Sequence, residues 1–326
     1  MHKKKQTLVG IDVSSKTLDA CWSGVNARYS NDRRGWRKLA MEAPENSRFV
    51  MEATGSYHFK LAAFLKMRGF SVGVVNPLRA RRWIESQIGS FKKTDRMDAG
   101  NLSKYGATEA VACREWEPLP PALARARAMI TVLANLSKTI KRSKAAMKAV
   151  SLAVEKKDGD VPGVLGYVAA VCKEQAEDLE AQLSSIVSAA YPEQFRLVES
   201  IPGIGRKTAA VLLVCTRGFE KFESFKRLAS YIGVAPTVRE SGTSVKGSGR
   251  ISKAGYPYLR ALLNMCAKVA VRCNGACSPL YARLVAKGKK RKDALVAVMH
   301  RLVKIAFAVV QSGVPFHGGK EPGPAQ

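Results

Sequence analysis

At 326 residues the chain is long enough for about two or three domains of the usual ~100–200 residues, so a sizeable buried core is available to it. Its 54 Lys and Arg against 26 Asp and Glu give a formal charge of +28, while 46% of the residues are apolar. The apolar fraction excludes wholesale disorder, and the charge points to a polyanionic partner, nucleic acid before an acidic membrane surface.

No run of about 18 uncharged apolar residues is present, which disfavours membrane insertion. Met1-His2-Lys3-Lys4-Lys5-Gln6 leads directly into a short apolar segment rather than the core of a signal peptide, so a soluble, intracellular protein is expected. Cys21, Cys113, Cys172, Cys215, Cys266, Cys273 and Cys277 include no C-x-x-C pair, and the four histidines no H-E-x-x-H, so disulfide and structural-zinc readings fail.

Residues 7 to 105 read as alternating strands and helices. Thr7 to Val13 is an apolar run with Asp12 near its end, and Thr17 to Trp22 followed by Arg28 to Asn31 suits a pair of hairpin strands. A helical stretch near Gly35 to Glu42 precedes Arg48 to Glu52, a second apolar run that closes on an acid. Tyr57 to Arg68 has helical amphipathicity, Phe70 to Val75 reads as a buried strand stopped by Asn76-Pro77, and Asp95 to Tyr105 as a further helix. The pattern is that of an α/β layer.

Beyond Pro118, Pro120 and Pro121, the residues Leu119, Leu123, Ala126, Ile130, Leu133, Leu136 and Ile140 recur at alternating spacings of three and four, the seam of a long coiled-coil helix. Seven basic residues and no acid lie between Leu119 and Val150, so this helix is expected near phosphate or an acidic partner helix. A turn at Lys156 to Gly163 leads to Cys172, Ala176, Leu179, Leu183, Ile186 and Ala190 at the same spacing, on a segment bearing Glu174, Glu177, Asp178 and Glu180. An antiparallel helical hairpin or an intermolecular coiled coil fits. From Phe195 onward short helices broken by glycines are expected, with fifteen Lys or Arg against two acids between Arg239 and Lys304. The Gly/Pro-rich tail from His317 is expected to be disordered.

Asp12 and Glu52 each end a strand-like run, which in an α/β sheet puts both carboxylates at the edge where ligands bind. Asp95 and Asp98 are three residues apart near a helix start and therefore share a helical face. Each acid alone has an ordinary reading as a turn or cap residue. Gathered in one pocket, four would repel without cations, whereas Mg²⁺ or Mn²⁺ would use them as an oxygen cage for phosphoryl transfer. Gly10 to Lys16 also suits an actin-like nucleotide fold, but no second Gly-rich phosphate loop accompanies it.

Ile201-Pro202-Gly203-Ile204-Gly205-Arg206-Lys207 joins two apolar helical patterns and resembles a helix-hairpin-helix, whose amides and cations clamp a DNA backbone; an ordinary tight turn is the alternative. Arg239 to Lys253, which contains Ser241, Lys246, Arg250 and Lys253, is small, polar and basic, and taken alone reads as a flexible linker that nucleic acid can approach closely. No histidine near Ser241 in sequence would activate it as a nucleophile. His58 and His300 read as packing or surface residues, and the cluster Lys287 to Lys292 as a phosphate contact.

Val9-Gly10-Ile11-Asp12, Met51-Glu52-Ala53-Thr54-Gly55, Val75-Asn76-Pro77, Lys93 to Ala99, Ser200 to Gly205, Glu240-Ser241-Gly242 and Ser252-Lys253-Ala254-Gly255 together resemble the DEDD transposases of bacterial insertion sequences. That group includes the pilin-gene invertase and the bridge-RNA-guided recombinases. The resemblance spans Thr7 to Phe316 and is carried by the order of the motifs; the interval from Asp12 to Glu52 is short for the family.

The resemblance implies a RuvC-like catalytic domain of RNase H fold at 1–112, a coiled-coil dimerisation region at 113–194, a mostly α transposase domain at 195–316 and a tail at 317–326. It implies Asp12, Glu52, Asp95 and Asp98 as a tetrad for Mg²⁺ or Mn²⁺ and Ser241 as a nucleophile that forms a transient phosphoserine with DNA. Gly203, Gly205, Arg206, Lys207, Lys246, Arg250 and Lys253 become nucleic-acid contacts. The implied partners are donor and target double-stranded DNA, a non-coding bridge RNA and further copies of the chain, a homodimer assembling into a tetramer with the acids of one protomer beside the serine of another. Bacterial cytoplasm at the nucleoid is the implied location. The rival readings are a junction-resolving nuclease with a water nucleophile and a non-catalytic nucleic-acid-bridging protein.

Overall fold

A computed structural model describes residues 6–53, 57–88, 95–108, 115–153, 161–220, 222–237, 240–241, 245–246, 250–251 and 255–317. The chain divides into two compact units, Met1–Pro118 and Leu119–Gln326.

The first unit is built on one mixed sheet. Strands β1 (Thr7–Val13), β2 (Thr17–Trp22) and β3 (Val25–Ser30) form an antiparallel meander, and β4 (Ser47–Glu52) and β5 (Ser71–Val75) run parallel to β1, in the order β3-β2-β1-β4-β5. Strand β3 begins three residues earlier than the sequence suggested. Ser23 and Gly24 have φ of 48° and 85°, so they form a two-residue turn of the twist that hairpins favour, which lets pairing start at once with Trp22 opposite Val25.

Helices α1 (Arg33–Glu42) and α2 (His58–Met67) cover one face of this sheet, and α3 (Pro77–Ile88) and α4 (Asp95–Thr108) the other. Period-2 alternation decides which residues meet which layer. Val9, Ile11, Val13, Phe49 and Met51 pack with Trp36, Leu39, Leu61 and Leu65 of α1 and α2. Val50 packs with Ala80, Leu102 and Tyr105 of α3 and α4, joined by Leu8. Helix α3 was not foreseen: Pro77, read only as a strand stop, is also the first helical residue, where its missing N–H costs nothing.

Gly10 sets how closely α4 lies on β1. A Cβ at that position would collide with the Ala99 carbonyl oxygen and the Ser103 amide nitrogen. The Ser103 hydroxyl donates to the Leu8 carbonyl at 2.9 Å, and Gly100 faces Cys21 of β2 while Gly106 faces Val50 of β4, so α4 passes over β2, β1 and β4.

The second unit is helical around one continuous core that runs from Leu123 to Phe316. Helices α5 (Pro121–Ala153) and α6 (Val161–Ala190) form an antiparallel hairpin: Arg125 donates to Gln182 at 3.2 Å near one end, and a Cβ on Gly166 would sit 3.3 Å from the Met147 sulfur near the other. The expected seam packs through buried Leu123, Ala126, Ile130 and Leu133 on α5 and Ala176 and Leu183 on α6, with Val187 added; Ala190 is exposed.

Among the described residues the acids of α6 form no ion pair with α5. Glu180 pairs with Lys207 and Glu177 with Lys173 of its own helix, which leaves Lys138, Lys141, Arg142, Lys144 and Lys148 exposed on α5. Helices α7 (Pro192–Glu199), α8 (Arg206–Thr216), α9 (Phe225–Ile232), α10 (Pro257–Cys273), α11 (Ser278–Ala286) and α12 (Arg291–Ser312) complete the unit. The segment between α9 and α10, read from sequence as linker, carries two short antiparallel pairs: β6 (Pro236–Thr237) with β9 (Arg250–Ile251), and β7 (Glu240–Ser241) with β8 (Val245–Lys246). Two-residue strands are too short for a period to register in sequence. Among the described residues no helix is long and apolar enough to cross a membrane.

Gly10→Ala forces a methyl group between β1 and α4, and we expect it to lower stability by about 1–3 kcal/mol as measured by urea denaturation. A variant as stable as the parent would show that the two elements are not held at this spacing.

Candidate active site

The parallel register pairs Ile11 with Met51, so the next residues, Asp12 and Glu52, lie side by side on adjacent strands whose backbones are about 5 Å apart. Alternation puts both on the sheet face that α4 covers, because Gly10 and Val50 two residues earlier already meet that layer. Both are half-buried.

Asp95 and Asp98 lie in the first turn of α4, the helix that covers this face. The side chains of Asp95 and Asp98 lie outside the described residues, and among the described residues no three acids, histidines or cysteines come close enough to hold a metal ion.

A further acid belongs to this face. Asp19 stands directly across from Asp12 in the antiparallel register of β1 and β2, a pairing that holds side chains on one side of the sheet. Asp19 is buried and its charge is met by Arg28 on β3, which donates from Nε to Oδ1 at 2.8 Å and from Nη2 to Oδ2 at 3.1 Å. The sequence reading passed over Asp19, because its place opposite Asp12 appears only once the turn at Ser23 and Gly24 has fixed the register. Carboxylates on one face are hard oxygen donors of the kind that a divalent ion takes.

In the second unit the two glycines of the hairpin between α7 and α8 separate in role. Gly203 has φ of +100° and a Cβ there would lie 2.8 Å from the Ala270 Cβ, so the turn needs glycine in order to pack on α10. Asn274 secures the same turn by donating to the Pro202 carbonyl at 3.1 Å. Gly205 is exposed, caps α8 and has open space where a Cβ would stand.

Arg206 rests on the Phe195 ring at 5.3 Å and lies 3.4 Å from Glu199. Lys207 is bound by Glu180; burial works against its ammonium charge, but the Glu180 carboxylate and the Tyr258 hydroxyl hold its pKa above the ordinary lysine range. Lys207 is therefore committed within the fold, and Arg206 is the more available cation.

Ser241 lies on β7 opposite Val245, Lys246 on β8 and Arg250 on β9; their side chains, and Lys253 altogether, lie outside the described residues. The base of this segment is anchored on α9. Gly255 is packed against the Tyr231 and Ile232 carbonyls, and Arg260 donates to the Ile232 carbonyl at 3.2 Å. Arg127 of α5 donates to the Tyr256 hydroxyl at 2.7 Å, which lies 3.0 Å from the Tyr231 hydroxyl. Below them burial pushes the Cys215 thiol up to about 12, so that cysteine is an inert packing group.

Comparison with known proteins connects both units to DNA transposition. Residues 9–152 match the DEDD transposase model of the IS110 group, and residues 195–282 match the model described as transposase, IS116/IS110/IS902 family. The chain is 29% identical over 324 residues to a pilin gene-inverting protein of Moraxella lacunata, an alignment that covers 95% of this chain and 98% of that protein. It is 33% identical over 162 residues to an uncharacterised protein of insertion element IS110 from Streptomyces coelicolor, covering 50% of this chain and 39% of that one. A probable family 20 transposase of Pseudomonas aeruginosa is 22% identical over 299 residues, covering 83% of this chain and 86% of that one.

Removing Arg28 leaves the Asp19 charge facing Asp12 without compensation. We expect Arg28→Met to destabilise the protein by about 1–3 kcal/mol and Asp19→Asn to relieve most of that loss in the double variant. Additive effects in the thermal denaturation cycle would show that the pair does not act as a unit.

Proposed function

Because the chain belongs to the IS110/IS116/IS902 transposase family, we propose that it cuts and rejoins DNA strands at the ends of an insertion sequence, using the acids of the first unit and Ser241 of the second. The observation that carries this reading is the adjacency of Asp12 and Glu52 at the ends of parallel strands, on the face that α4 covers. The strand order, an antiparallel meander continued by two parallel strands, supports a RuvC-like RNase H fold for the catalytic domain at 1–112.

Asp12, Glu52, Asp95 and Asp98 would hold Mg²⁺ or Mn²⁺. A divalent ion there would supply Lewis-acid charge to the phosphoryl oxygens as the phosphodiester is exchanged. Asp19, neutralised by Arg28, would stand behind Asp12 without adding net charge to the pocket.

In the exchange step Ser241 Oγ attacks the phosphorus and gives its proton to a base or solvent, while the departing strand leaves as a hydroxyl. Attack by the hydroxyl of the partner strand then frees the serine, so the number of phosphodiester bonds is unchanged and no nucleotide is consumed. The similarity to a protein named for inverting a pilin gene fits such a conservative exchange.

Gly205, Arg206, Lys246, Arg250 and Lys253 would contact phosphate in this scheme, with Gly203 shaping the turn and Lys207 fixing α8 to α6. A non-coding bridge RNA paired with donor and target DNA would supply the sequence specificity, leaving the protein to track backbone and helical shape. The region 113–194 would join protomers into a dimer and then a tetramer, 195–316 would act as the transposase domain and 317–326 as a tail, in the bacterial cytoplasm at the nucleoid.

The protein incubated with RNA, both DNAs and Mg²⁺ is expected to yield a covalent protein–DNA adduct that Ser241→Ala abolishes and that Asp12→Asn reduces by about two to three orders of magnitude. An undiminished adduct in Ser241→Ala removes the serine from the mechanism. Nicked products with free ends and no adduct assign a water nucleophile and a junction-resolving nuclease, and an Asp12→Asn variant of full activity in cells assigns a bridging protein without catalysis.

A further inference from the structure

Helix α1 carries Arg33, Arg34, Arg37 and Lys38, all exposed, on the side of the sheet opposite the acids. At about 100° per residue the four cations fall within an arc of about 140°, with Gly35, Trp36 and Leu39 turned inward. Lys38 lies 3.8 Å from Glu42, whereas Arg33, Arg34 and Arg37 form no ion pair among the described residues.

Two features argue against reading this face as ordinary solvated surface. Its charges oppose the electrostatics of the helix itself: the first turn holds Arg33 and Arg34 and no acid, so cations stand at the positive end of the dipole, relieved only by the Asp32 cap. The helix is also firmly held. Asp32 accepts from the Gly35 amide at 2.9 Å, the Trp36 indole donates to Asn31 at 2.9 Å, and the Trp36 ring packs on Phe64 at 5.8 Å between centroids.

We propose that α1 is a second nucleic-acid contact surface, distinct from the acid-bearing edge, whose arginines take the phosphodiester backbone of a double helix. Three arginines and a lysine on a rigid helix match a ladder of phosphates, and arginine forks pair with phosphate oxygens bidentately. The surface lies across a sheet from Asp12 and Glu52, so it holds a stretch of duplex other than the one being cut. It does not depend on how strands are exchanged.

The test compares the full-length protein with the variant Arg33→Gln, Arg34→Gln, Arg37→Gln, Lys38→Gln. Binding of labelled duplex DNA and of duplex RNA of the same sequence is measured from about 50 to 200 mM potassium chloride. The variant is expected to bind at least about tenfold more weakly, with a log–log salt slope shallower by about three. Loss confined to DNA or to RNA identifies which duplex the surface takes. Unchanged affinity and slope with both overturn the proposal.

Binding is measured without divalent ions, so that no strand is exchanged, which separates this surface from the strand-exchange reading. The quadruple variant should melt no lower than the parent, since the two cations of the first turn, Arg33 and Arg34, no longer oppose the helix dipole. A lower melting temperature accompanied by an unchanged salt slope would mean that the cations serve the fold alone.

Discussion

Helix α4 can lie against β1 because residue 10 has no side chain. That close approach ties the Ser103 hydroxyl to the strand backbone. It lays α4, which carries Asp95 and Asp98, over the sheet face on which Asp12 and Glu52 stand side by side at the strand ends. The proposed tetrad depends on that contact. The fold spends an apolar contact at position 10 to make a polar site two residues later.

The acids themselves oppose that arrangement. Two unit charges 4 Å apart repel by roughly 1 kcal/mol in water and by several times that near a protein surface. The protein manages one of them internally: Asp19, opposite Asp12, is closed off by the two hydrogen bonds from Arg28. Asp12 and Glu52 stand half-buried at the strand ends.

Much of this was legible in the sequence because it rests on local periodicity. The two apolar runs that close on Asp12 and Glu52, the amphipathic stretch at α2 and the three-four spacing of α5 are each recorded in consecutive residues, and they became two strands and two helices. What escaped depended on distant partners or on very short elements. Asp19 gained its meaning from a cross-strand register, and α3 hid behind a proline that both ends β5 and opens the helix. The split between Gly203 and Gly205 depends on Ala270, which stands far along the chain on α10. The strands around Ser241 are two residues each, below the length at which alternation means anything.

Charge placement follows a single logic across the molecule. A net charge of +28 would be unfavourable for a compact chain alone, and α5 shows that internal acids do not cancel it: Glu180 is committed to Lys207 and Glu177 to Lys173. Acids are gathered on one side of the first unit's sheet, and cations are stacked against a helix dipole on the other. Both groupings cost the isolated protein stability, which under the proposed function divalent ions would offset for the first and phosphate backbone for the second. The two sides are fixed by the same alternation along β1, since Gly10 and Asp12 face one layer while Val9 and Ile11 face the other. A one-residue slip of that strand would turn the acid toward the apolar layer of α1 and α2 and cost both surfaces at once.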